Sequence, residues 1–154
     1  MIRPATEDDI GAIVRMGISF NEIARVGQLI EADTNSMIVY AEQLIRSDNA
    51  CLYLATLNGE IVGMAGAVLY PFHANLNVIM GHETIWWVEP EFRGHGAGPE
   101  LKDTLERWAE SNGASFMIMS SQPNLDGDKV NRYLAHAGYQ PIDQNHIREL
   151  ARRH

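Results

Sequence analysis

The chain is poor in cysteine, in positive charge and in long apolar runs. Its 154 residues include a single cysteine, Cys51, which excludes a disulfide within the chain and a zinc site built from a cysteine cluster. Lys and Arg number 12 against 20 Asp and Glu, giving a formal net charge of -8. This excess of negative charge argues against partners such as nucleic acid or an anionic membrane, and it is compatible with a cationic substrate. No apolar run is long enough to span a bilayer.

The rest of the composition is that of a globular domain. Hydrophobic residues make up 45% and charged residues 21%, and the length suits one domain over residues 1–154. The first residues carry no basic-then-apolar leader, and the cysteine content suits a reducing compartment. We therefore expect a cytoplasmic protein.

Strand and helix patterns alternate along the chain. Apolar spacing predicts helices over residues 10–32, 36–46, 99–112 and 128–137, the first preceded by a capping box at Thr6. Extended segments are predicted over residues 1–4, 51–57, 61–70, 78–88, 116–119 and 139–150. The segment over residues 116–119 is predicted to be buried. Asn58-Gly59 predicts a hairpin and residues 71–75 a loop. This order predicts an α/β domain with a mixed sheet and helices on both faces.

The most informative segment is a glycine-rich loop between a strand and a helix, Arg93-Gly94-His95-Gly96-Ala97-Gly98. Glycines allow several backbone N–H groups to converge on one anion, and a helix N-terminus adds partial positive charge. The loop is suited to a phosphate, and the alternative is a flexible connection that binds nothing. A P-loop is excluded because Pro99-Glu100 stands where Lys-Ser/Thr is required, and a dinucleotide fingerprint fits poorly.

The loop matches the Arg/Gln-x-x-Gly-x-Gly/Ala motif of the GNAT superfamily of N-acetyltransferases. Its lead-in, Val88-x-Pro90-x-x-Arg93, also resembles that family, as do the hairpin over residues 58–63 and Gly138-Tyr139. The resemblance covers almost the whole chain. It implies a single domain with a mixed, mostly antiparallel sheet, helices on both faces, and a splayed strand pair that forms an acyl-CoA cleft.

The resemblance also implies acetyl-CoA as the acyl donor, with no metal. Main-chain groups of Trp87 and Val88 would pair with the pantetheine arm, and Asn124 resembles a frequent CoA-contacting asparagine, although its spacing to Gly138 is longer than usual. The remaining implied binders hold the pyrophosphate: Arg93, Gly94, His95, Gly96, Ala97 and Gly98. Arg148, Arg152 and Arg153 would reach the 3′-phosphate or form a loose basic tail.

The implied reaction is direct attack of an amine on the thioester. Glu83 stands where the family often has an acid that acts through water, and its alternative is a solvated carboxylate at the strand edge. His82 is its neighbour on the opposite face and a second candidate base. The family often places a general-acid tyrosine four residues before the glycine of Gly138-Tyr139. That position is Leu134 here, and Tyr133 lies one residue earlier, with a purely structural role as its alternative.

Three functions remain open at this point. The first is an N-acetyltransferase acting on a small amine, a polyamine, a lysine side chain or a protein N-terminus, with Glu22, Glu31 and Asp33 attracting the amine. The second is a non-catalytic acyl-CoA-binding regulatory protein with the same fold, and the third acts on nucleic acid, which the acidic charge disfavours. The family resemblance makes a homodimer an expectation. Lys102, with its charged neighbours, is predicted to lie on a solvated helix face.

Overall fold

A five-stranded sheet forms the centre of the molecule. In the computed structural model, which describes residues 1–151, the strands lie in chain order, antiparallel from β1 to β4, with β5 parallel to β4. The strands are β1 (Ile2–Pro4), β2 (Ala50–Leu57), β3 (Glu60–Phe72), β4 (Asn75–Val88) and β5 (Ala114–Ile118). The predicted mixed, mostly antiparallel sheet is confirmed.

Helices cover both faces of this sheet. They are α1 (Ile10–Ile23), α2 (Arg25–Leu29), α3 (Thr34–Arg46), α4 (Ala97–Ser111) and α5 (Gly127–His136). One core lies under α1 and α3 and contains Met16 and Leu44, and the other lies under α4 and contains Leu101 and Leu105. The predicted two-sided α/β architecture is therefore correct.

Local sequence signals account for most element ends. The Asp9 carboxylate accepts a hydrogen bond from the Thr6 N–H at 2.8 Å, as the capping box predicts. Asp33 caps α3 by accepting from the Ser36 N–H at 2.9 Å. Asn58 and Gly59 both have positive φ, which is the requirement of a tight hairpin turn between β2 and β3.

The hairpin of β3 and β4 is longer than its sequence pattern predicts. The loop predicted over residues 71–75 shrinks to two residues, because β3 continues to Phe72 and β4 begins at Asn75. Beyond Val68, which pairs with Ala50, β3 has no partner in β2. The end of this hairpin therefore extends past the rest of the sheet.

Two predictions about helices are wrong. The first helix does not run to residue 32, because Ala24 adopts an extended conformation and separates α1 from α2. Lys102 does not lie on a solvated face: it is 6% exposed, because the rings of Tyr133 and Tyr139 each lie 5.9 Å from its ammonium group.

Two predictions about strands are also wrong. The short strand predicted as buried is an edge strand, β5, and Phe116 within it is 61% exposed. Residues 140–151 form no strand, and each of them is exposed. The last backbone hydrogen bond after α5 runs from the Tyr139 N–H to the Leu134 carbonyl oxygen, and none of the five described strands pairs with the segment that follows.

Candidate active site

Strands β4 and β5 separate halfway along β4. Their pairing ends at His82 and Ile118, while β4 continues to Val88 with β3 alone beside it. A register shift opposite Gly66 and Ala67 leaves Thr84 without a direct partner, so β4 carries a bulge at the start of its one-sided half. Main-chain groups on the open side of this half have no strand to bind.

A cavity of about 170 Å³ lies at the point where the strands separate. Its walls come from α1, β4, α5 and the segment that follows β5. The lining residues are Phe20, Glu83, Thr84, Trp86, Ser120, Ser121, Gln122, Leu125 and Val130. Of these residues, Glu83 is a candidate that the sequence also predicts. The polar run Ser120-Ser121-Gln122 was missed, although it follows a parallel strand, where open α/β sheets tend to build their sites.

Glu83 carries a carboxyl with almost no compensation for its burial. Its Oε1 atom accepts one long hydrogen bond, 3.4 Å from the Ser120 backbone nitrogen. Desolvation raises the pKa of Glu83 to about 7. The neighbouring Thr84 hydroxyl is buried and has no hydrogen-bond partner within residues 1–151. The cavity therefore contains a carboxyl that can exchange a proton near neutral pH and polar groups that are not engaged by the protein.

His82, the other candidate base, is engaged elsewhere. Its Nδ1 atom lies 2.8 Å from the Tyr70 hydroxyl, on the long hairpin. It does not contribute to the walls of the cavity. Of the two neighbours, Glu83 is the one that the structure places at the cleft.

The glycine loop presents five consecutive backbone N–H groups. Within the described chain, the N–H groups of residues 94–98 donate no hydrogen bond. Gly94 and Gly96 adopt left-handed conformations, with φ of 85° and 90°, and a Cβ atom at either would meet no atom within 4 Å. Gly96 is the N-cap of α4 and offers no side chain to that helix end. Unused amides, open space and a helix N-terminus are together suited to an anion.

Side chains beside the loop hold its two ends. Arg93 Nε donates to the Val88 carbonyl oxygen at 2.9 Å, with the guanidinium group 4.8 Å from the Trp87 ring centre. Trp86 Nε1 donates to the Gly98 carbonyl oxygen at 2.9 Å. Trp87 is 3% exposed and belongs to the core under α1, whereas Trp86 lines the cavity, as strand alternation predicts for two neighbours.

Tyr133 lies beside the site, and its neighbour Leu134 lies in the core. Leu134 is 7% exposed. The Tyr133 ring lies 6.2 Å from the ring of Trp86, and burial is the main cause that raises the pKa of its phenol. Lys102, beside it, binds the carboxylates of Asp103 and Glu106. The phenol is thus protonated at neutral pH, and its ring lies beside Trp86, which lines the cavity.

Asn124 is occupied by contacts within the protein. Its amide nitrogen donates to the Ile23 carbonyl oxygen at 3.2 Å, and its amide oxygen accepts from Arg25 Nε at 3.0 Å. These bonds tie the cavity wall next to Leu125 to the junction of α1 and α2. Of the three C-terminal arginines, Arg148 is exposed, and Arg152 and Arg153 lie outside the described residues.

The described residues hold neither a metal cluster nor a membrane span. Within residues 1–151, no three His, Cys, Asp or Glu side chains are grouped so that they could hold a metal ion. In the same part of the chain, no helix is long and apolar enough to cross a membrane.

Solved structures with this fold are acetyltransferases and related proteins. A transcriptional regulator from Bacillus halodurans C-125 is 18% identical with a TM-score of 0.78, covering 97% of this chain and 99% of its own. A ribosomal-protein-alanine N-acetyltransferase from Brucella melitensis is 20% identical with a TM-score of 0.71 and the same coverage. A predicted acetyltransferase from Clostridium acetobutylicum, solved with acetyl-CoA, is 19% identical with a TM-score of 0.73. It covers 97% of this chain and 95% of its own. At these identities, the likeness establishes the fold.

The sequence itself establishes the family. The model of the acetyltransferase (GNAT) family matches residues 19–146. The chain therefore belongs to the GNAT acetyltransferase family. No curated protein shows significant sequence similarity to it.

Proposed function

We propose that the chain is a cytoplasmic, acetyl-CoA-dependent N-acetyltransferase that acts on a primary amine. The observation that carries this proposal is the position of Glu83. Its carboxyl lies in the cavity where β4 leaves β5, and the same strand leads to five unengaged amides at residues 94–98. A proton acceptor at one end of an open strand edge and an anion site at the other suit an acyl-phosphopantetheine donor.

The residues fit this donor in three places. The amides of residues 94–98 would hold the pyrophosphate, and that of Arg93 would join them only after releasing the Pro90 carbonyl oxygen, to which it donates at 3.3 Å. The open side of β4 at Trp87 and Val88 would pair with the amides of the pantetheine arm. A backbone N–H near Val88 would stabilise the negative charge that develops on the thioester oxygen. Asn124 would contribute a contact to the donor only after releasing Ile23 or Arg25.

The proposed reaction is one displacement at the acetyl carbonyl carbon. The amine nitrogen forms the new bond to this carbon, and the carbon–sulfur bond breaks. Glu83 takes the proton that the ammonium group must lose before attack, because its pKa near 7 allows both forms of the carboxyl at neutral pH. We propose Tyr133, protonated at neutral pH, as the donor of a proton to the leaving thiolate. The second proton, which the nitrogen loses as the amide forms, returns the phenolate of Tyr133 to the phenol.

The acceptor class follows from charge. The amine must reach Glu83, and three carboxylates are exposed from the end of α1 to the start of α3, Glu22, Glu31 and Asp33. Together with the net charge of -8, they attract a cation and repel a phosphate backbone. Small amines, polyamines, lysine side chains and protein N-termini share this chemistry, and nucleic acid does not.

The first test is calorimetric titration with acetyl-CoA, with NADH as the comparison ligand. We expect acetyl-CoA to bind and NADH not to bind. Gly96→Asp should abolish binding, because it places a carboxylate among the anion-binding amides. Gly113→Asp is the matched control: Gly113 has a φ of 91° and open space like Gly96, but lies at the far end of α4. Equal loss in both variants, or no loss in either, would remove the loop as the donor site.

A second candidate function rests on Leu134. The family position for the general acid carries a buried leucine here, and one similar structure is described as a transcriptional regulator. A protein that binds acyl-CoA without turnover and regulates a partner would have this property. Acetyl transfer to a panel of amines separates the two candidates: turnover of any amine supports the enzyme, and binding without turnover supports the regulator.

A further inference from the structure

Lys102 carries its positive charge inside the protein. It is 6% exposed, whereas lysine is almost never fully buried unless its charge is paired. Its Nζ atom binds the Asp103 carboxylate at 2.8 Å and the carboxylate of Glu106, one turn further along α4. Burial opposes the charge, but these contacts outweigh it and raise the pKa of Lys102 above its ordinary value. The ammonium group is therefore charged at any ordinary pH.

Two tyrosine rings cover this ammonium group. Its Nζ atom lies 5.9 Å from the ring centres of Tyr133 and of Tyr139, which is within the range of a cation–π contact. Gly138, with a φ of 94°, turns the chain after α5, and the Tyr139 hydroxyl then donates to Glu106 Oε2 at 3.1 Å. Lys102 is thus held in place by α4 and by Tyr139, with the Tyr133 ring against it.

We propose that Lys102 is a positioning residue for Tyr133, which holds the phenol at the site and stabilises the phenolate formed when the proton passes to the leaving thiolate. In that step the O–H bond of the phenol breaks and an S–H bond forms, while Lys102 keeps all of its protons. A fixed positive charge away from water favours the phenolate more than it would in bulk solvent. This inference rests on the proposed function, in which Tyr133 is the proton donor.

The other groups around Tyr133 act against the phenolate. Burial is the largest cause that raises the pKa of the phenol, and the carboxylates of Asp103 and Glu106 raise it further, whereas Lys102 lowers it. Tyr139, on the same ammonium group, is itself protonated at neutral pH, because burial first and Glu106 second raise the pKa of its phenol. Loss of the Lys102 charge would leave two carboxylates beside a buried phenol, which would then release its proton less readily.

The first experiment measures the phenolate of Tyr133 with no acyl donor present. Tetranitromethane nitrates tyrosine through its phenolate, and peptide mass spectrometry gives the rate at each tyrosine. Lys102→Met keeps the length of the side chain and removes its charge. We expect this variant to slow nitration of Tyr133 about tenfold, the change in phenolate that one pKa unit produces, and Lys102→Arg to restore the rate.

Two controls accompany the nitration experiment. Tyr40 is 46% exposed on α3, away from Lys102, and should react at the same rate in every variant, which also reports an intact fold. Lys129→Met removes the same charge from an exposed position four residues before Tyr133 and should leave its rate unchanged. An equal or faster rate at Tyr133 in Lys102→Met would overturn the proposal.

The second experiment is a double-mutant cycle on kcat. Lys102→Met should lower kcat by no more than Tyr133→Phe does, and the double variant should match Tyr133→Phe, because Lys102 acts only through the phenol. The KM for acetyl-CoA should stay unchanged in all three variants. A loss from Lys102→Met that is equally large with and without the phenol would overturn the role of Lys102 and leave Tyr133 as the donor. An unchanged kcat in Tyr133→Phe would count against the donor assigned in the proposed function, and against this inference with it.

Discussion

Asp9 is buried and Glu83 is half-buried, and the two carboxyl groups differ in how many hydrogen bonds the fold gives them. Asp9 accepts hydrogen bonds from the Arg3 guanidinium at 2.8 and 2.9 Å and from the Thr6 N–H at 2.8 Å. These contacts, the Arg3 bonds first, hold the pKa of Asp9 far below its usual range. Glu83 has one bond of 3.4 Å, and burial raises its pKa to about 7.

The difference separates a structural carboxylate from a reactive one. Asp9 is ionised at any ordinary pH and fixes the start of the first helix against β1. Glu83 is the first residue of β4 beyond its pairing with β5, and its one hydrogen bond comes from the backbone of Ser120, in the segment that follows β5. A carboxyl that the protein leaves uncompensated is free to take a proton from something else.

The largest effect is expected from Glu83→Gln. Under the proposed function, this variant should lower kcat about 100- to 1000-fold, because an amide cannot accept the proton of the ammonium group. The wild-type rate should rise with pH through about 7 as Glu83 ionises, and the variant should lose that rise. Measurement of kcat between pH 5 and 9 checks both. Glu60→Gln, an exposed carboxyl at the start of β3, is the control; a Glu83 variant that behaves like it would exclude Glu83 as the base.

The next effect concerns stability and Asp9. Asp9→Asn should lower the free energy of unfolding by about 2–3 kcal/mol at pH 7, because Arg3 and the Thr6 N–H lose an ionised partner. The pKa of Asp9 is lower in the folded than in the unfolded chain, so this stabilisation is present above about pH 4 and declines in acid. Urea unfolding at pH 7 and pH 3 should show a smaller difference at pH 3. If the wild type and the variant differ by the same free energy of unfolding at pH 7 and at pH 3, the loss of stability does not come from the charge of Asp9.

The third effect is on stability at Glu83, where ionisation of the carboxyl destabilises the fold, whereas at Asp9 it stabilises the fold. The pKa of Glu83 is raised in the folded chain, so ionisation of Glu83 destabilises the fold as pH increases from about 4.5 through 7. Glu83→Gln carries no charge and should be more stable than the wild type at pH 8, by about 1–3 kcal/mol. At pH 4.5 the two should unfold at nearly the same urea concentration. A destabilised variant at pH 8 would mean that the carboxylate is compensated after all.

The smallest effect is expected from Tyr133→Phe. Loss of the phenol should lower kcat a few-fold and leave the KM for acetyl-CoA unchanged, since a thiolate is a good leaving group even without a proton donor. Steady-state kinetics check this split. Leu134→Met, a change of similar volume in the neighbouring core position, is the control and should alter neither constant. An unchanged kcat in Tyr133→Phe would assign Tyr133 to packing against Trp86 and Lys102.

Local signals predicted most of the fold and the location of the glycine loop. Glycine and asparagine adopt left-handed conformations more readily than other residues, so these residue types mark the ends of elements. Such ends occur at Asn58-Gly59, Gly113 and Gly138. The hydrophobic alternation placed β2, β3 and β4 to within a few residues. What failed depends on neighbours distant in the chain: the burial of Lys102 requires Tyr133 and Tyr139, and the exposure of Phe116 requires knowing that β5 lies at the edge.

The candidate site was also predictable only where a local sequence signal specifies it. Glu83 and residues 93–98 follow from a contiguous motif and the strand that precedes it. The engagement of Asn124 depends on Ile23 and Arg25, about a hundred residues away, and the bulge at Thr84 depends on the register against β3. Neither has a local signal. The cavity exists only once α1, β4 and α5 are assembled.

The burial of Cys51 determines how this molecule behaves toward other thiols. Cys51 is 7% exposed, and desolvation raises the pKa of its thiol to about 12, so it carries essentially no thiolate at neutral pH. The proposed reaction releases a free thiol, and the protein has no reactive partner with which that product could form a mixed disulfide. Product release can therefore be followed continuously with an aromatic disulfide reagent, with every colour-forming thiol coming from the turnover itself.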